Sequence, residues 1–254
     1  MSVEDLLVRA PGLRITDPRR TSVEVHAYLR ELIISGTLPP GVELKQAELA
    51  RLFAVSRTPL REAFRMLQEE GLVSAEPNQR SHVLGLNPDE LELLYAGRVA
   101  LECLGVRLTA GRMTRDEARS AIAALWEMDR GYRAGDMPGW SVAHHRLHRL
   151  LLGRVGDVVL RTIASYAERS ERYVRSYQLD HWETVPDRHQ EHRDIFEAVR
   201  DGVPDRAVAL MATHLARTAV GVMRKIDPTR SSSAIDAAVA LVAQTDARAD
   251  RMSE

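Results

Sequence analysis

The sequence has one cysteine, few aromatic residues and no long apolar run, and each shortage excludes a class of protein. Cys103 alone cannot form an internal disulfide or a cysteine-based zinc site. Aromatic residues make up 5% of the chain, and its apolar runs are far too short to cross a membrane. The start, MSVEDLLVRAPG, has acids where a signal peptide has basic residues. We therefore expect a cytoplasmic protein with no membrane partner.

The chain also lacks an excess of charge of either sign. It has 35 basic and 36 acidic residues and a net charge of −1. Residues 1–87 alone contain 11 basic and 11 acidic residues, so this part of the chain has no net charge. Composition therefore gives no general sign of nucleic-acid binding, which has to be inferred from local patterns.

The composition that is present favours helices. Apolar residues make up 44% and charged residues 28% of the 254 residues, as in a globular protein, and the strong helix formers alanine, leucine, arginine and glutamate are abundant. A chain of this length holds one large domain or two of ordinary size. We expect a mainly α protein with two domains.

The pattern predicts a winged helix-turn-helix domain over residues 21–86. Apolar residues at helical spacing predict three helices, and the third, SRTPLREAFRMLQEEG, begins after Ser56 and ends at Gly71. Two short β-like runs, LVSAE and SHVLGL, flank turn residues and predict a hairpin. Residues 1–20 show no sustained period and are expected to form a loose leader.

An all-α domain, a six-helix bundle, is predicted over residues 87–226. Residues 227–254 contain one short apolar run, AIDAAVALVA, and are expected to form a frayed tail or a small docking helix. Glycine, proline and aspartate signals divide the bundle into six segments. The predicted helices span residues 88–111, 114–134, 137–154, 156–180, 187–201 and 203–226.

A stripe of arginines indicates how the first domain could contact DNA. Arg57, Arg61 and Arg65 recur every four residues along the third helix, opposite its apolar face. Arginines on the second helix of a helix-turn-helix suit the major groove, where they bind guanine or clamp phosphates. A solvated surface is an equally good interpretation of the stripe alone, because arginine is common in this chain.

Four histidines predict a metal site in the second domain. His144 and His148 share the apolar face of one helix, and His192 and His214 lie on the apolar faces of two later helices. Facing helices of a bundle can hold a metal in this way. Neutral imidazole suits transition metals, so we expect one divalent ion per chain, zinc or nickel foremost. A hydrolase would also need a general base, and no acidic residue stands near enough in the sequence to be nominated.

Three stretches of the first domain, SGTLPPG, ELARLFAVSRTPLREA and EEGLV, resemble in order and spacing the GntR family of bacterial transcription regulators. The resemblance implies a winged helix that binds double-stranded operator DNA. It also implies that Arg57, Arg61 and Thr58, at the start of the third helix, contact that DNA.

Four stretches of the second domain, LYAGRVALE, LHRLL, EHRDIFEAV and MATHL, resemble the FCD ligand-binding domain of the FadR subfamily, in its six-helix VanR-like branch. That domain is expected to hold a metal with an Asp or Asn and three histidines. The histidines correspond to His148, His192 and His214, and His144 stands at the Asp/Asn position. An imidazole there favours a later transition metal over manganese or magnesium.

The FCD resemblance also implies an organic-acid effector that completes the coordination of the metal. Arg98, in GRVALE, matches an arginine that faces the cavity, and a surface position is its alternative interpretation. Arg172 and Arg175 are further candidates for binding the effector.

Together these patterns predict a homodimeric DNA-binding repressor, controlled by a small carboxylate at a metal centre, and not an enzyme. A metal sensor, in which the ion itself is the signal, remains an alternative. A metal-dependent hydrolase fused to a DNA-binding domain is a second one.

Overall fold

The computed structural model of the protein is mostly helical, which confirms the predicted mainly α class. The chain forms two compact units, the first comprising residues 1–87 and 171–176 and the second the rest of the chain from residue 88 onward. The structure describes residues 3–8, 10, 12–74, 80–85, 87–180 and 185–249, without the side chains of residues 172, 175–180, 185–188 and 244–249.

The first unit combines a helix-turn-helix with a small antiparallel sheet. The bridge between Val73 and Val83 closes the predicted hairpin, and Leu44 of a strand that the sequence did not predict pairs with Ser81. The helices are α1 (Val3–Leu7), α2 (Thr21–Ile34), α3 (Gln46–Leu52) and α4 (Arg57–Glu69), and the strands are β1 (Glu43–Lys45) and β2 (Arg80–His82).

The core of this unit forms where α2, α3 and α4 meet β1. Leu29, Leu44 and Leu60 are completely buried there, and each such side chain contributes about 1.5–3 kcal/mol through the hydrophobic effect. The expectation of a loose leader is wrong for α1, because Val3 and Leu6 are buried in the same core. Their spacing of three residues places both on one face of the short helix.

The second unit contains the six predicted helices, whose ends differ from the predicted ones by a few residues, and a seventh helix among the described residues. Helix α5 packs against α10 and α11, α6 against α7, and α9 against α10. The helices are α5 (Pro88–Thr109), α6 (Arg115–Ala134), α7 (Met137–Leu151), α8 (Gly156–Asp180), α9 (Val185–Arg200), α10 (Pro204–Ile226) and α11 (Ser233–Ala249). Within the described ranges, no helix is both long and apolar enough to cross a membrane.

Local signals in the sequence explain where these helices begin and end. Thr114 and Glu117 form a capping box at the start of α6, which ends at Gly135 in the left-handed conformation. The side chain of Asp136 caps the start of α7 by accepting a hydrogen bond from the backbone amide of Gly139. The abrupt turn between α6 and α7 makes these two helices antiparallel neighbours.

The last helix, α11, corresponds to the docking helix of the two expectations for residues 227–254. Ile235 is completely buried. The backbone amide of Ala234 donates a hydrogen bond of 2.6 Å to the carboxylate of Glu92 on α5. Arg230, just before α11, forms an ion pair of 3.5 Å with the same carboxylate. Residues 250–254 lie outside the described part of the chain.

Candidate functional site

Helix α4 presents one apolar face and one basic face. Leu60 and Phe64 are buried in the core of the first unit, whereas Arg57 and Arg61 are exposed. The exposed Thr58 lies between them in the first turn of α4. The helix-turn-helix geometry therefore leaves the predicted DNA-contacting residues free of the core.

The three arginines of the predicted stripe differ in their surroundings. Arg65 forms an ion pair of 3.1 Å with Glu62 and a second one with Glu69. Arg57 and Arg61 form no ion pair with any residue that the structure describes. Arg57 and Arg61 can therefore meet a phosphate or a base edge without first breaking an internal contact, and Arg65 cannot.

The four predicted histidines come together in the second unit. One potential ligand atom from each ring lies within 4.8 Å of those of the others. His144 and His148 come from α7, their ring centres 4.5 Å apart, and His192 of α9 lies 4.4 Å from His214 of α10. Three helices thus bring their apolar faces, and the imidazoles on them, to one point.

Two glutamates orient the imidazole rings of His148 and His214 by contacting their Nδ1 atoms. The Nδ1 atom of His148 lies 2.9 Å from the carboxylate of Glu102, and that of His214 lies 2.8 Å from the carboxylate of Glu191. An Nδ1–H that donates to a carboxylate leaves the Nε2 lone pair free to bind a metal. Each carboxylate therefore selects the tautomer that a metal ligand needs.

Each of these glutamates is in turn paired with an arginine. Arg98 lies 2.7 Å from Glu102, and Arg217 forms an ion pair with Glu191. Burial opposes ionisation of Glu102, but Arg98 and the hydrogen bond with His148 outweigh it and lower the pKa of Glu102 to about 2. Glu102 therefore remains a charged acceptor at neutral pH.

The imidazoles of His144 and His148 favour the neutral form. Burial, with the neighbouring histidines, holds the pKa of His144 well below its ordinary value, and burial also lowers the pKa of His148. The ring of His144 stacks on Trp140 with the centres 4.8 Å apart. Neutral imidazole is the form that binds metal.

The buried Nε2 atom of His148 is the sharpest sign that the cluster fits a metal ion. It has no hydrogen-bond partner within the described ranges, and a buried polar atom without a partner costs about 1–3 kcal/mol. A divalent ion at the centre of the cluster would satisfy this atom. All four donors are imidazole nitrogens, the donor type suited to zinc, nickel, cobalt or copper.

The sequence did not predict the two glutamates. The prediction that no acidic residue stands near enough in the sequence to be nominated as a general base overlooked Glu191, which directly precedes His192. In the fold Glu102 contacts His148 and Glu191 contacts His214. Both carboxylates are already engaged with an imidazole and an arginine, so they act as orienting groups. The position of Glu102 four residues after Arg98 could have indicated the ion pair between them, but its contact with His148 depends on how α5 packs against α7.

Of the three predicted effector residues, the structure describes the side chain of Arg98 alone. Arg98 is buried, and besides its ion pair with Glu102 it donates a hydrogen bond of 3.3 Å to Ser170. The surface position considered for Arg98 is therefore wrong. The side chains of Arg172 and Arg175 lie outside the described part of the chain.

Comparison with known proteins identifies the family. Residues 21–83 match the family of bacterial regulatory proteins named gntR, and residues 92–217 match the FCD domain. An HTH-type transcriptional regulator from the TAR-I ttuE-ttuC' intergenic region of Agrobacterium vitis is 31% identical over 156 residues, which cover 58% of this chain and 86% of that protein. This chain belongs to the GntR family and has an FCD domain.

Other relatives of this GntR regulator agree in fold and class. The transcriptional repressor RspR of Escherichia coli is 27% identical over 194 residues, covering 76% of this chain and 84% of RspR. The structure of E. coli McbR/YncC has a TM-score of 0.68 at 18% identity, covers 82% of this chain and 99% of its own, and supports the same fold. These relatives are transcription regulators, which confirms that the protein is not an enzyme and overturns the hydrolase alternative.

Proposed function

We propose that this GntR regulator is a homodimeric repressor whose hold on operator DNA weakens when a small carboxylate binds at a metal in the FCD domain. The metal would be held by His144, His148, His192 and His214. The observation that supports this best is the convergence of four imidazoles around the buried Nε2 atom of His148, which has no hydrogen-bond partner among the described residues.

The proposed metal is a single later transition metal ion, zinc or nickel. Neutral imidazoles bind such ions in preference to magnesium or calcium, which favour oxygen ligands. Bound there, the ion would supply a positive charge with an affinity for carboxylate oxygens. The orienting bonds from Glu102 and Glu191 hold His148 and His214 ready, and such supporting contacts are typically worth 10- to 100-fold in metal affinity.

The charges around the cluster support an anionic effector. The charge of Glu102 is balanced by Arg98 and that of Glu191 by Arg217. The positive charge of a divalent ion would therefore remain uncompensated by the residues that support its ligands. A carboxylate would neutralise part of that charge and gain affinity from it.

Helix α4 supplies the proposed DNA contacts. Arg57 and Arg61 are exposed and form no ion pair with a described residue, Thr58 lies beside them, and Arg65 would add a weaker phosphate contact. Two copies of the chain would place two such helices on the half-sites of a near-palindromic operator. Repression is proposed because the relative RspR is a repressor, and the protein would act in the cytoplasm, where its operator is.

The test measures operator affinity while metal and acids are added separately. The operator fragment comes from sequencing the genomic DNA that the protein retains. We expect the zinc- or nickel-loaded protein to bind this fragment, and one member of a panel of small carboxylates to weaken binding by about 5- to 150-fold, the usual range of coupling between sites. His148→Ala should still bind the fragment but no longer respond to the acid. A wild-type protein that responds to neither metal nor any acid would contradict the proposal.

A metal sensor is the second candidate, supported by the same four histidines. In that case metal alone would change operator affinity over the same range, and acids would add nothing. The titration therefore separates the two functions in one experiment.

A further inference from the structure

An open groove of about 460 Å³ lies beside the start of α4, in the first unit. The end of the leader contributes Pro18 and Arg19 to its lining, and the start of α4 contributes Ser56 and Pro59. Arg19 lies just before the segment that matches the gntR family, which begins at residue 21. The groove therefore joins a part of the chain outside the family match to the helix that is proposed to contact DNA.

The end of the leader is held in place by α2 and by the core. The carboxylate of Glu24 on α2 accepts hydrogen bonds of 2.7 Å from both the hydroxyl and the backbone amide of Thr16, and these bonds lower the pKa of Glu24. The side chain of Asp17 accepts a hydrogen bond of 2.9 Å from the backbone amide of Arg19, and Ile15 packs against the core. The backbone that carries Arg19 is therefore ordered before a ligand arrives, which lowers the entropic cost of a contact.

The groups that line the groove suit an anion. Arg19 is exposed and forms no ion pair with any described residue. The side chains of Ser22 and Ser56 also line the groove, and the hydroxyl of Ser56 forms no capping hydrogen bond with α4. Within the described ranges, no acidic residue lines it. Guanidinium and hydroxyl groups are among the donors that proteins offer to the phosphate oxygens of DNA.

The position of the groove favours a phosphate of DNA over a small free anion. Ser56 directly precedes Arg57 and Thr58, the proposed DNA contacts on α4. A helix that enters the major groove, which is about 12 Å wide, has a sugar-phosphate backbone on either side. A single exposed guanidinium holds a free anion weakly, because water screens the pair. DNA bound by α4 would instead present its phosphate to Arg19 at a high effective concentration.

We propose that Arg19, with the hydroxyls of Ser22 and Ser56, binds a backbone phosphate of the DNA beside the bases that α4 contacts. The leader thereby adds affinity that does not depend on base sequence, and it helps to fix the register of α4 in the major groove. Glu24 is a positioning residue for this contact, because it holds Thr16 and with it the backbone before Arg19. The inference rests on the DNA binding of the proposed function and not on its metal or its effector.

The experiment measures, by fluorescence anisotropy at several salt concentrations, how tightly the full-length protein binds the operator fragment and an unrelated duplex of the same length. Arg19→Ala should weaken binding to both duplexes by the same factor, about fivefold. It should also lower the slope of log affinity against log salt by about 0.9 for each chain bound, because one phosphate contact is lost. Arg19→Lys should recover most of the affinity, because lysine binds phosphate as a point charge.

Arg20→Ala is the matched control. It removes the same charge from the neighbouring exposed residue, which does not line the groove. It should change the affinity for either duplex by less than about twofold, because salt screens charges that do not contact the DNA. Circular dichroism and the urea midpoint should show that every variant is folded.

Glu24→Ala tests the positioning of the leader. It removes a negative charge, which by itself would strengthen DNA binding, but it also releases Thr16 and should therefore weaken binding by about twofold or more. Arg19→Ala should have little further effect in this variant, because two changes to one contact are not additive. Stronger DNA binding by Glu24→Ala would overturn the positioning role.

Three results would overturn the phosphate contact. The first is an Arg19→Ala variant that matches wild type in affinity and salt slope, or loses no more than Arg20→Ala. The second is a loss confined to the operator fragment, which would assign Arg19 to a base. The third is calorimetric binding of inorganic phosphate that requires Arg19 while DNA affinity does not, which would assign the groove to a small anion.

The same measurements separate this inference from the proposed function. Wild-type protein that binds neither duplex would contradict both. Wild-type protein that binds DNA through Arg19 but responds to neither metal nor acids would contradict the proposed function alone.

Discussion

The arginine face of α4 and the histidine cluster of the second unit differ in how far their polar groups are exposed to solvent. Arg57 and Arg61 are exposed and form no ion pair in the part of the chain that the structure describes, and the helix that carries them is held by its other face. His148 and His192 are buried, with 6% and 1% of their surfaces exposed. Exposed groups keep their hydration until a partner arrives, whereas buried polar groups need partners within the fold.

This difference predicts how each region responds to mutation. Loss of an exposed arginine should weaken DNA binding and leave the stability of the fold nearly unchanged. Loss of a buried imidazole should affect metal binding and folding together, because a metal that binds only the folded state stabilises that state.

The largest expected effect is that of His148→Ala. Wild-type protein purified without an affinity tag should contain close to one metal ion per chain by elemental analysis, and the variant far less. The variant should also lose the stabilisation that metal gives, about 4 kcal/mol when metal exceeds its Kd by a thousandfold. Thermal unfolding with and without added zinc measures this difference.

His189→Ala is the control for this prediction. His189 lies one turn before His192 on α9, but its Nε2 atom contacts Arg193 at 3.0 Å and it is absent from the cluster. It should keep the metal content of wild type. Equal metal content in His148→Ala and wild type would contradict the proposed ligand set.

An intermediate effect is expected on the exposed face. Arg61→Ala should weaken operator binding by about 1–3 kcal/mol if the arginine contacts a base, and leave the urea midpoint unchanged. Arg65→Ala serves as the comparison, because Glu62 and Glu69 already neutralise Arg65, so its loss should weaken binding less. Fluorescence anisotropy on the operator fragment checks both variants. An Arg65→Ala variant that loses more affinity than Arg61→Ala would reverse the assignment.

The smallest effect concerns the turn that positions α4. Ala54 has a φ of 53°, a left-handed conformation that costs a non-glycine residue about 1–2 kcal/mol. Ala54→Gly should stabilise the protein by about 0.5–1 kcal/mol, since the greater chain entropy of glycine offsets part of the gain. Urea unfolding measures the change. Ala47→Gly, on the exposed face of α3, should instead destabilise by up to about 1 kcal/mol.

Helical periodicity was enough to predict most of the fold and the inward faces of the four histidines. A face is a local property, set by spacing along one helix, so His144 and His148 could be placed together from the sequence. The meeting of His148 with Glu102 is different, because it depends on which turn of α5 lies beside which turn of α7. Spacing within one helix does not determine that register.

Strand β1 and the leader helix show the same limit. Glu43–Lys45 is a three-residue strand whose partner, Arg80–His82, lies far along the chain, and so short a run has no period of its own to detect. The two apolar residues of α1 are buried only because they pack against the core of the first unit, which their own spacing does not reveal. Short elements are defined by what they pack against, and long ones by their own pattern.

Helix α11 determines where this protein can be shortened. A chain ending at Asp227 would keep all four clustered histidines and the whole matched FCD segment. It would nevertheless lose the fully buried Ile235 and the backbone donor that Ala234 offers to Glu92. The side of α5 beneath α11 would then meet water, and such newly exposed apolar surface promotes aggregation. The boundary of the matched domain family and the boundary of the folding unit are therefore different positions in this chain.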